Sequence, residues 1–233
     1  TALCAAGAWS SYFCRSLGIK VPQLKVKGTV ARTNPIETKI NGSIFDKKVS
    51  IRKRLDGGYT VAHGSILDHP ITPSTLYFAP KYIQALIKEF NGLRLSIGKE
   101  FIDELTAPKT WDLDKESPFE KNRVLNPKPN KNVIAKISSE ISNVYPELKD
   151  AKIIESWAGM VETTPDVVPV ISPMQKIPGF YLATGFSGHG FGIGPGAGKV
   201  ISEMIQNKPT IDLLPFRLER FFDGSPIKVE ATI

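Results

Sequence analysis

Residues Phe180 to Lys199 constrain this chain more than any other stretch. The apolar segment Phe180–Ala183 follows a Pro178-Gly179 turn and reads as a short strand. Glycines then stand at 185, 188, 190, 192, 194, 196 and 198, and Ala197, Val200, Ile201, Met204 and Ile205 repeat at helical spacing. A strand, a glycine loop and a helix N-terminus in that order can receive an anionic or electron-rich ligand. Glycine lets the backbone approach closely, and the first helical N–H groups are unpaired. A solvated linker would carry Ser and charge, whereas Phe186, Phe191 and Ile193 interleave these glycines.

The remaining composition narrows the class. The 233 residues suffice for one large domain or two small ones, and 41% hydrophobic content is ordinary for a globular chain. No run approaches the roughly 18 apolar residues of a membrane span. Net charge is +7, but the lysines are scattered apart from Lys47-Lys48 and Arg52-Lys53-Arg54. Nucleic-acid binding calls for a concentrated basic face, so no nucleic-acid partner is expected, and the charge suits handling of carboxylates better. Cys4 and Cys14 have neither metal-ligand nor redox spacing and read as buried thiols. No metal is expected. A reducing, cytoplasmic compartment fits, and peripheral contact with the inner membrane stays open.

Thr1–Ala6 is apolar and reads as the tail of a buried parallel strand, so sequence upstream of Thr1 is expected. Trp9, Tyr12, Phe13 and Leu17 mark one face of a short helix closed by Gly18. From Leu24 to Val30 the apolar period is two, and 44–51 and 59–66 are further strands around an Asp56-Gly57-Gly58 hairpin turn. Residues 67–80, with Pro70, Pro73 and Pro80, read as loop, as do 106–131. Helical spacing recurs over 82–90, 101–105 and 133–144, and 153–161 reads as strand.

No nucleophile elbow, P-loop or strict Gly-x-Gly-x-x-Gly occurs, so the pyrophosphate grip of a dinucleotide site is absent from these residues. Two blocks nevertheless carry a resemblance. One is Trp157-Ala158-Gly159-Met160 through Thr164-Pro165-Asp166 to Pro169-Val170-Ile171. The other is Leu182-Ala183-Thr184-Gly185 through Gly188-His189-Gly190 to the helix near Pro195. With Ala5-Ala6-Gly7-Ala8-Trp9-Ser10, they resemble the C-terminal half of the FAD-dependent amino-acid oxidoreductases of the D-amino-acid oxidase type, which include D-amino-acid dehydrogenase, glycine oxidase and sarcosine oxidase.

The resemblance implies a mixed α+β and α/β fold in two parts. Residues 1–20 and 162–233 would belong to a discontinuous, Rossmann-like FAD-binding domain, and 21–161 to an antiparallel-sheet substrate domain. It implies FAD as cofactor, with the flavin carrying the hydride chemistry and no catalytic side chain. The cofactor would be held by Ala6, Gly7, Trp9, Gly188, His189, Gly190, Phe191 and Gly192, the ring lying against Gly188–Gly192. The substrate would be a small amino acid or amine, and the partner a missing N-terminal FAD-domain segment, in the same polypeptide or another subunit. One departure matters. Relatives carry a carboxylate-clamping arginine where this chain has Val161, and glycine oxidase carries another where it has Gly188. Arg52, Arg54 or Lys53 could substitute, or Glu162 could meet a cationic group on the substrate. The alternative readings are a non-catalytic subunit or partner-binding module retaining the fold, and an anion-binding protein without redox chemistry.

Overall fold

The computed structural model describes residues 1–112 and 114–229. Leu113, in the expected 106–131 loop, and residues 230–233 of the expected C-terminal tail lie outside the described residues. In chain order the elements are β1 (Ala2–Cys4), α1 (Ser10–Ser16), β2 (Leu24–Thr33), β3 (Ser43–Ile44), β4 (Ser50–Lys53), β5 (Tyr59–Ala62) and β6 (Leu67–Pro70). Then come α2 (Pro73–Phe78), α3 (Ile83–Glu89), β7 (Leu93–Ser96), α4 (Lys99–Thr106), α5 (Pro118–Lys121) and α6 (Lys131–Val144). The chain closes with β8 (Ile153–Thr163), β9 (Val170–Pro173), β10 (Phe180–Thr184) and α7 (Gly190–Ile205). The class is mixed α/β.

Two sheets organise these elements. The smaller has order β1-β10-β9, with β1 parallel to β10 and β9 antiparallel. The larger has seven strands: β3-β4-β5-β2-β6-β7 in order, with β8 on the other side of β2. The long strands β2 and β8 run antiparallel from the Leu24↔Thr163 pair to the Thr33↔Ile153 pair. Side chains of a strand alternate between faces, and paired residues share one. Val26, Val30, Trp157, Gly159 and Val161 therefore lie on one face, and Lys25, Lys27, Ala31, Met160 and Glu162 on the other. The second face carries the core. Val133, Ile137 and Ile141 of α6 bury against Ala31, Val49, Ile51, Tyr59 and Val61. α6 starts where the side chain of Asn130 accepts from the N–H groups of Asn132 and Val133.

The smaller sheet is packed by two further clusters. Cys4, Cys14, Val170, Phe180 and Leu182 meet Leu218 and Phe221 on one side, and Ile171, Ala183, Ala197, Ile201 and Met204 meet on the other. Cys4 and Cys14 are free, buried thiols. A buried ion pair ties the C-terminal segment down. Arg220 Nε and Nη2 donate to the two oxygens of Asp166 at 2.7 and 3.1 Å, while Nη2 also donates to the Val168 carbonyl at 2.8 Å. Asp166 additionally accepts from Val168 N–H, the turn-capping role its place after Pro165 suggests. That turn holds the β-branched Val167 at φ 63°, an unfavourable conformation over-determined by the clamp around it.

Several sequence expectations change in detail. The strand expected over 44–51 is a hairpin of β3 and β4, because Asp46 Oδ1 accepts from Lys48 and Val49 N–H and turns the chain. The expected 67–80 loop contains β6 and α2. Thr72 and Thr75 form a capping box and Pro73 occupies the first turn, so two of the residues that suggested loop start a helix. α5 in the 106–131 stretch begins likewise at the Ser117–Glu120 box. β1 is parallel as expected, but Ala2 and Leu3 are exposed and only Cys4 is buried. His69 is buried, with Nδ1 2.6 Å from the Lys25 carbonyl and Nε2 3.0 Å from Thr75 Oγ1. Burial pushes its pKa down, so the ring is a neutral structural group. Among the described residues no helix is long and apolar enough to cross a membrane.

Candidate functional site

The site grows from the C-terminal ends of β1 and β10. Beyond Thr184 the backbone enters the left-handed region three times, at Gly185 (φ 74°), Ser187 (φ 51°) and Gly188 (φ 83°). Gly185 is required twice over, since a Cβ there would sit 2.3 Å from Thr164 Cγ2. Ser187 is fully buried and donates to the Gly185 carbonyl at 3.1 Å, which holds the unfavourable turn in place. Gly188 is required by its conformation alone: a Cβ would meet only Val161 Cγ1, at 3.7 Å.

α7 starts at Gly190, ahead of the start near Pro195 that the sequence suggests, and runs through that proline. No side chain caps it. Among the described residues no backbone acceptor meets the N–H of Gly190 or Phe191, while Gly192 and Ile193 donate to the His189 carbonyl. Gly188, His189, Phe191 and Gly192 are exposed, Phe191 completely so. At Gly192, Gly194, Gly196 and Gly198 an added Cβ would meet nothing within 4 Å. Only the later turns pack into this chain, through Ala197, Ile201 and Met204.

The second wall is the turn after β1. Ala6 is exposed, and Gly7 and Trp9 are half-buried in the single 3-10 turn Gly7–Trp9. Gln23, only 2% exposed, fixes this turn against β10. Its Nε2 donates to Thr184 Oγ1 at 2.7 Å and to the Gly7 carbonyl at 3.2 Å, and its Oε1 accepts from Ser11 N–H at 2.9 Å. Thr184 Oγ1 in turn donates to the Gly7 carbonyl at 3.4 Å. Gln23 does not stand out in the sequence, and Thr184 does so only as part of the Leu182–Gly185 block. The available signal is a glutamine beside Val21-Pro22 in an otherwise apolar approach to a strand.

The third wall is the end of β8. Val161 approaches Gly188, and Glu162 Oε2 lies 3.9 Å from the Cβ position of Gly7. Glu162 is thus brought to the Ala6–Trp9 turn, and Val161 to the glycine loop. Tyr82 secures this end: its hydroxyl lies 2.7 Å from the Thr163 carbonyl and accepts from Leu24 N–H at 3.2 Å, and burial pushes its pKa up. Trp157 is 37% exposed on the Val161 face, so it is not a core aromatic.

Arg52 and Arg54 lie elsewhere. The Arg52–Thr60–Arg32–Glu155 row crosses the sheet six residues up β8 from Val161. That puts Arg52 about 14 Å across and about 20 Å along from it. Arg52 shares the face of Val161, is exposed and has no ion-pair partner among the described residues, whereas Arg54 is paired with Asp56 and donates to Thr60 Oγ1. Lys53 donates to the Ile36 and Gly57 carbonyls.

Comparison with known proteins bears on these walls as a set. The structure is similar to L-amino acid deaminase from Proteus myxofaciens in complex with anthranilate, with a TM-score of 0.87 and 29% identity over 94% of this chain and 49% of that one. In sequence it is 37% identical over 87 residues to human peroxisomal sarcosine oxidase, covering 36% of this chain and 22% of that protein. It is 25% identical over 223 residues to human mitochondrial dimethylglycine dehydrogenase, covering 93% of this chain and 22% of that protein. The chain thus spans about half the length of the deaminase and about a fifth of the dimethylglycine dehydrogenase, and its aligned third covers about a fifth of the sarcosine oxidase. The profile of the FAD dependent oxidoreductase family matches residues 1–204, which contain all three walls, and the chain belongs to that family.

Proposed function

We propose that this chain supplies the ring-facing and substrate-facing walls of an oxidoreductase that oxidises a C–N bond of an amino acid or secondary amine, with FAD as hydride acceptor. The observation that carries the proposal is the set of glycines in α7. Glycine in a helix interior costs about 0.8–1.0 kcal/mol relative to alanine. At 192, 194, 196 and 198 nothing in this chain occupies the space a side chain would take, so the chain's own packing gives no reason for glycine there. A flat group lying against one face of the helix gives one for Gly192 and Gly196, which stand four residues apart on the same face. The fit extends to charge: the free N–H groups of Gly190 and Phe191 and the positive end of the α7 dipole suit an anionic ring edge.

Ala6, Gly7, Trp9 and Gly188–Gly192 are the residues we assign to holding the flavin ring, with Gln23 and Thr184 positioning the first group. A bound flavin accepts the hydride that leaves the substrate carbon. The chain's own contribution is to shape the cavity, hold the substrate and offer N–H donors to negative charge. The dinucleotide grip is assigned to a segment outside these 233 residues, because no Gly-x-Gly-x-x-Gly lies within them. On this reading 1–20 and 162–233 complete that FAD domain, and 21–161 covers the substrate. Free buried cysteines favour a reducing, cytoplasmic setting.

Val161 and Gly188 leave no cation at the arginine positions of relatives, and Glu162 stands beside Gly7. We therefore assign Glu162, which reaches the Gly7 turn from the sheet face opposite Val161, to a cationic group of the substrate, a secondary amine or basic side chain, and leave Arg52 as the cation on the face of Val161. The test is the purified full-length protein, which is expected to be yellow and to bleach anaerobically with an N-methylated or basic amino acid. Glu162→Gln is expected to raise KM for the cationic substrates at least tenfold and to spare neutral ones. A colourless full-length protein that takes up no FAD would instead favour a non-catalytic subunit. An unchanged substrate preference in Glu162→Gln removes the role given to Glu162.

A further inference from the structure

A cavity of about 850 Å³ lies under the sheet face opposite Val161. Lys25 and Met160 reach it from β2 and β8, Trp9, Tyr12 and Arg15 from the first helical segment, and Glu104 from α4. The register fixes the separation: Lys25 pairs with Glu162 and Val26 with Val161, so consecutive residues point to opposite sides. The sheet stands between this cavity and the Val161–Gly188 contact.

Two of its cations, Arg15 and Lys25, have no ion-pair partner among the described residues. Arg15 Nε is buried without a hydrogen-bond partner, and no carboxylate of the described residues lies within ion-pair distance of its guanidinium. The guanidinium sits 4.9 Å from the centre of the Tyr12 ring. Lys25 likewise has no ion-pair or hydrogen-bond partner for its ammonium among the described residues. Burial holds its pKa below the usual lysine range, and the field of Arg15 lowers it further against the opposing field of Glu104. Glu104 is already engaged, since its Oε1 accepts from Ser74 N–H at 2.8 Å and Ser74 Oγ at 2.5 Å at the start of α2. Glu100 and Asp103 of α4 also line the cavity, Asp103 lying 3.8 Å from Lys99, and none of the three carboxylates comes within ion-pair distance of Arg15 or Lys25. Donors left unmet in such a place are costly, and guanidinium donors match the two oxygens of a carboxylate. The aromatic and thioether walls suit an apolar body behind that head, and the volume falls in the range of roughly 300–1,000 Å³ common for small-molecule sites.

We propose that Arg15 and Lys25 form a binding site for a small organic monocarboxylate with an apolar body, on the sheet face opposite Val161 and against the back of the Gly7–Trp9 turn. The carboxylate sits between the guanidinium and the ammonium, and the tail lies along Trp9, Tyr12 and Met160. Occupancy would brace the turn through Trp9, so the ligand acts on the neighbouring site without entering it.

The test uses the full-length protein with its cofactor bound and calorimetric titration of 3-phenylpropanoate, with 3-phenylpropanamide as the uncharged control. The carboxylate is expected to bind and the amide to bind at least tenfold more weakly. Arg15→Gln and Lys25→Met are each expected to weaken the carboxylate at least tenfold, and Arg15→Lys less. Thermal melts identify any variant that fails to fold, in which case Lys25→Met and the amide control decide. No binding, equal binding of acid and amide, or binding that folded Lys25→Met leaves intact would overturn the proposal.

Discussion

α6 and α7 are of similar length, 14 and 16 residues, and are built on opposite terms. The cap and the apolar face of α6 both answer to this chain. Asn130 caps it and also donates to Asp68, and Val133, Ile137 and Ile141 fill the core over the larger sheet. Beyond the contact of Gly190 with Phe186, the first half of α7 has little in the chain to explain it. It has no side-chain cap, a fully exposed Phe191, an internal Pro195 and glycines whose missing side chains leave open space. A helix that works against its own stability marks a surface shaped for something else, since local inconsistency concentrates where function requires it.

The difference between the helices can be broken most forcefully by truncating a side chain on each. Ile137 is completely buried, so Ile137→Ala is expected to cost about 2–5 kcal/mol in denaturant unfolding, through lost transfer energy and the cavity left behind. Phe191→Ala removes a larger side chain and is expected to change stability by no more than about 0.5 kcal/mol, because Phe191 touches no core of this chain. Comparable losses at the two positions would mean that α7 is held by its own chain after all.

The N-termini give a smaller contrast. Asn130→Ala removes the acceptor for Asn132 and Val133 N–H and the donor to Asp68, and about 1 kcal/mol of stability is expected to go with it. His189 occupies the matching position on α7 and caps nothing, so His189→Ala is expected to leave the urea midpoint unchanged within about 0.5 kcal/mol. A loss at His189 equal to that at Asn130 would give its imidazole a structural role that the geometry lacks.

What the sequence made legible follows the same division. α6 and β8 could be read because their apolar residues repeat with the period of the element they form, and the core they meet is dictated by that pattern. The α7 start was misplaced because glycines carry no periodicity, and a helix of poor propensity is set by its context. α2 was hidden by its own start signal, since Pro73 reads as a breaker unless Thr72 is recognised as its cap. The links that position the site are long-range: Gln23 to Thr184 spans 161 residues, and Arg220 to Asp166 spans 54. No local pattern encodes such pairs. Arg15 and Lys25 are inconspicuous for a related reason, as a helix cation and a strand cation show their shared cavity only in the folded chain.

Gly192 sharpens the contrast most finely, because there the chain and its proposed ligand have opposed interests. The backbone at Gly192 is ordinary helix rather than left-handed, and a Cβ would meet nothing within 4 Å. Gly192→Ala should therefore raise the stability of the polypeptide by about 0.5–1 kcal/mol, the helix-propensity gain with no packing loss to offset it. The same methyl group projects into the space assigned to the flavin ring, so the ratio of bound flavin to protein after gel filtration is expected to fall. Two measurements on one variant then separate two explanations. A higher urea midpoint with lower flavin retention is the signature of a glycine kept for a ligand at the chain's expense. A higher midpoint with full flavin retention would mean that the space over Gly192 serves something other than the flavin, and the ring would have to be sought nearer Gly188, whose φ of 83° excludes the same substitution on conformational grounds alone.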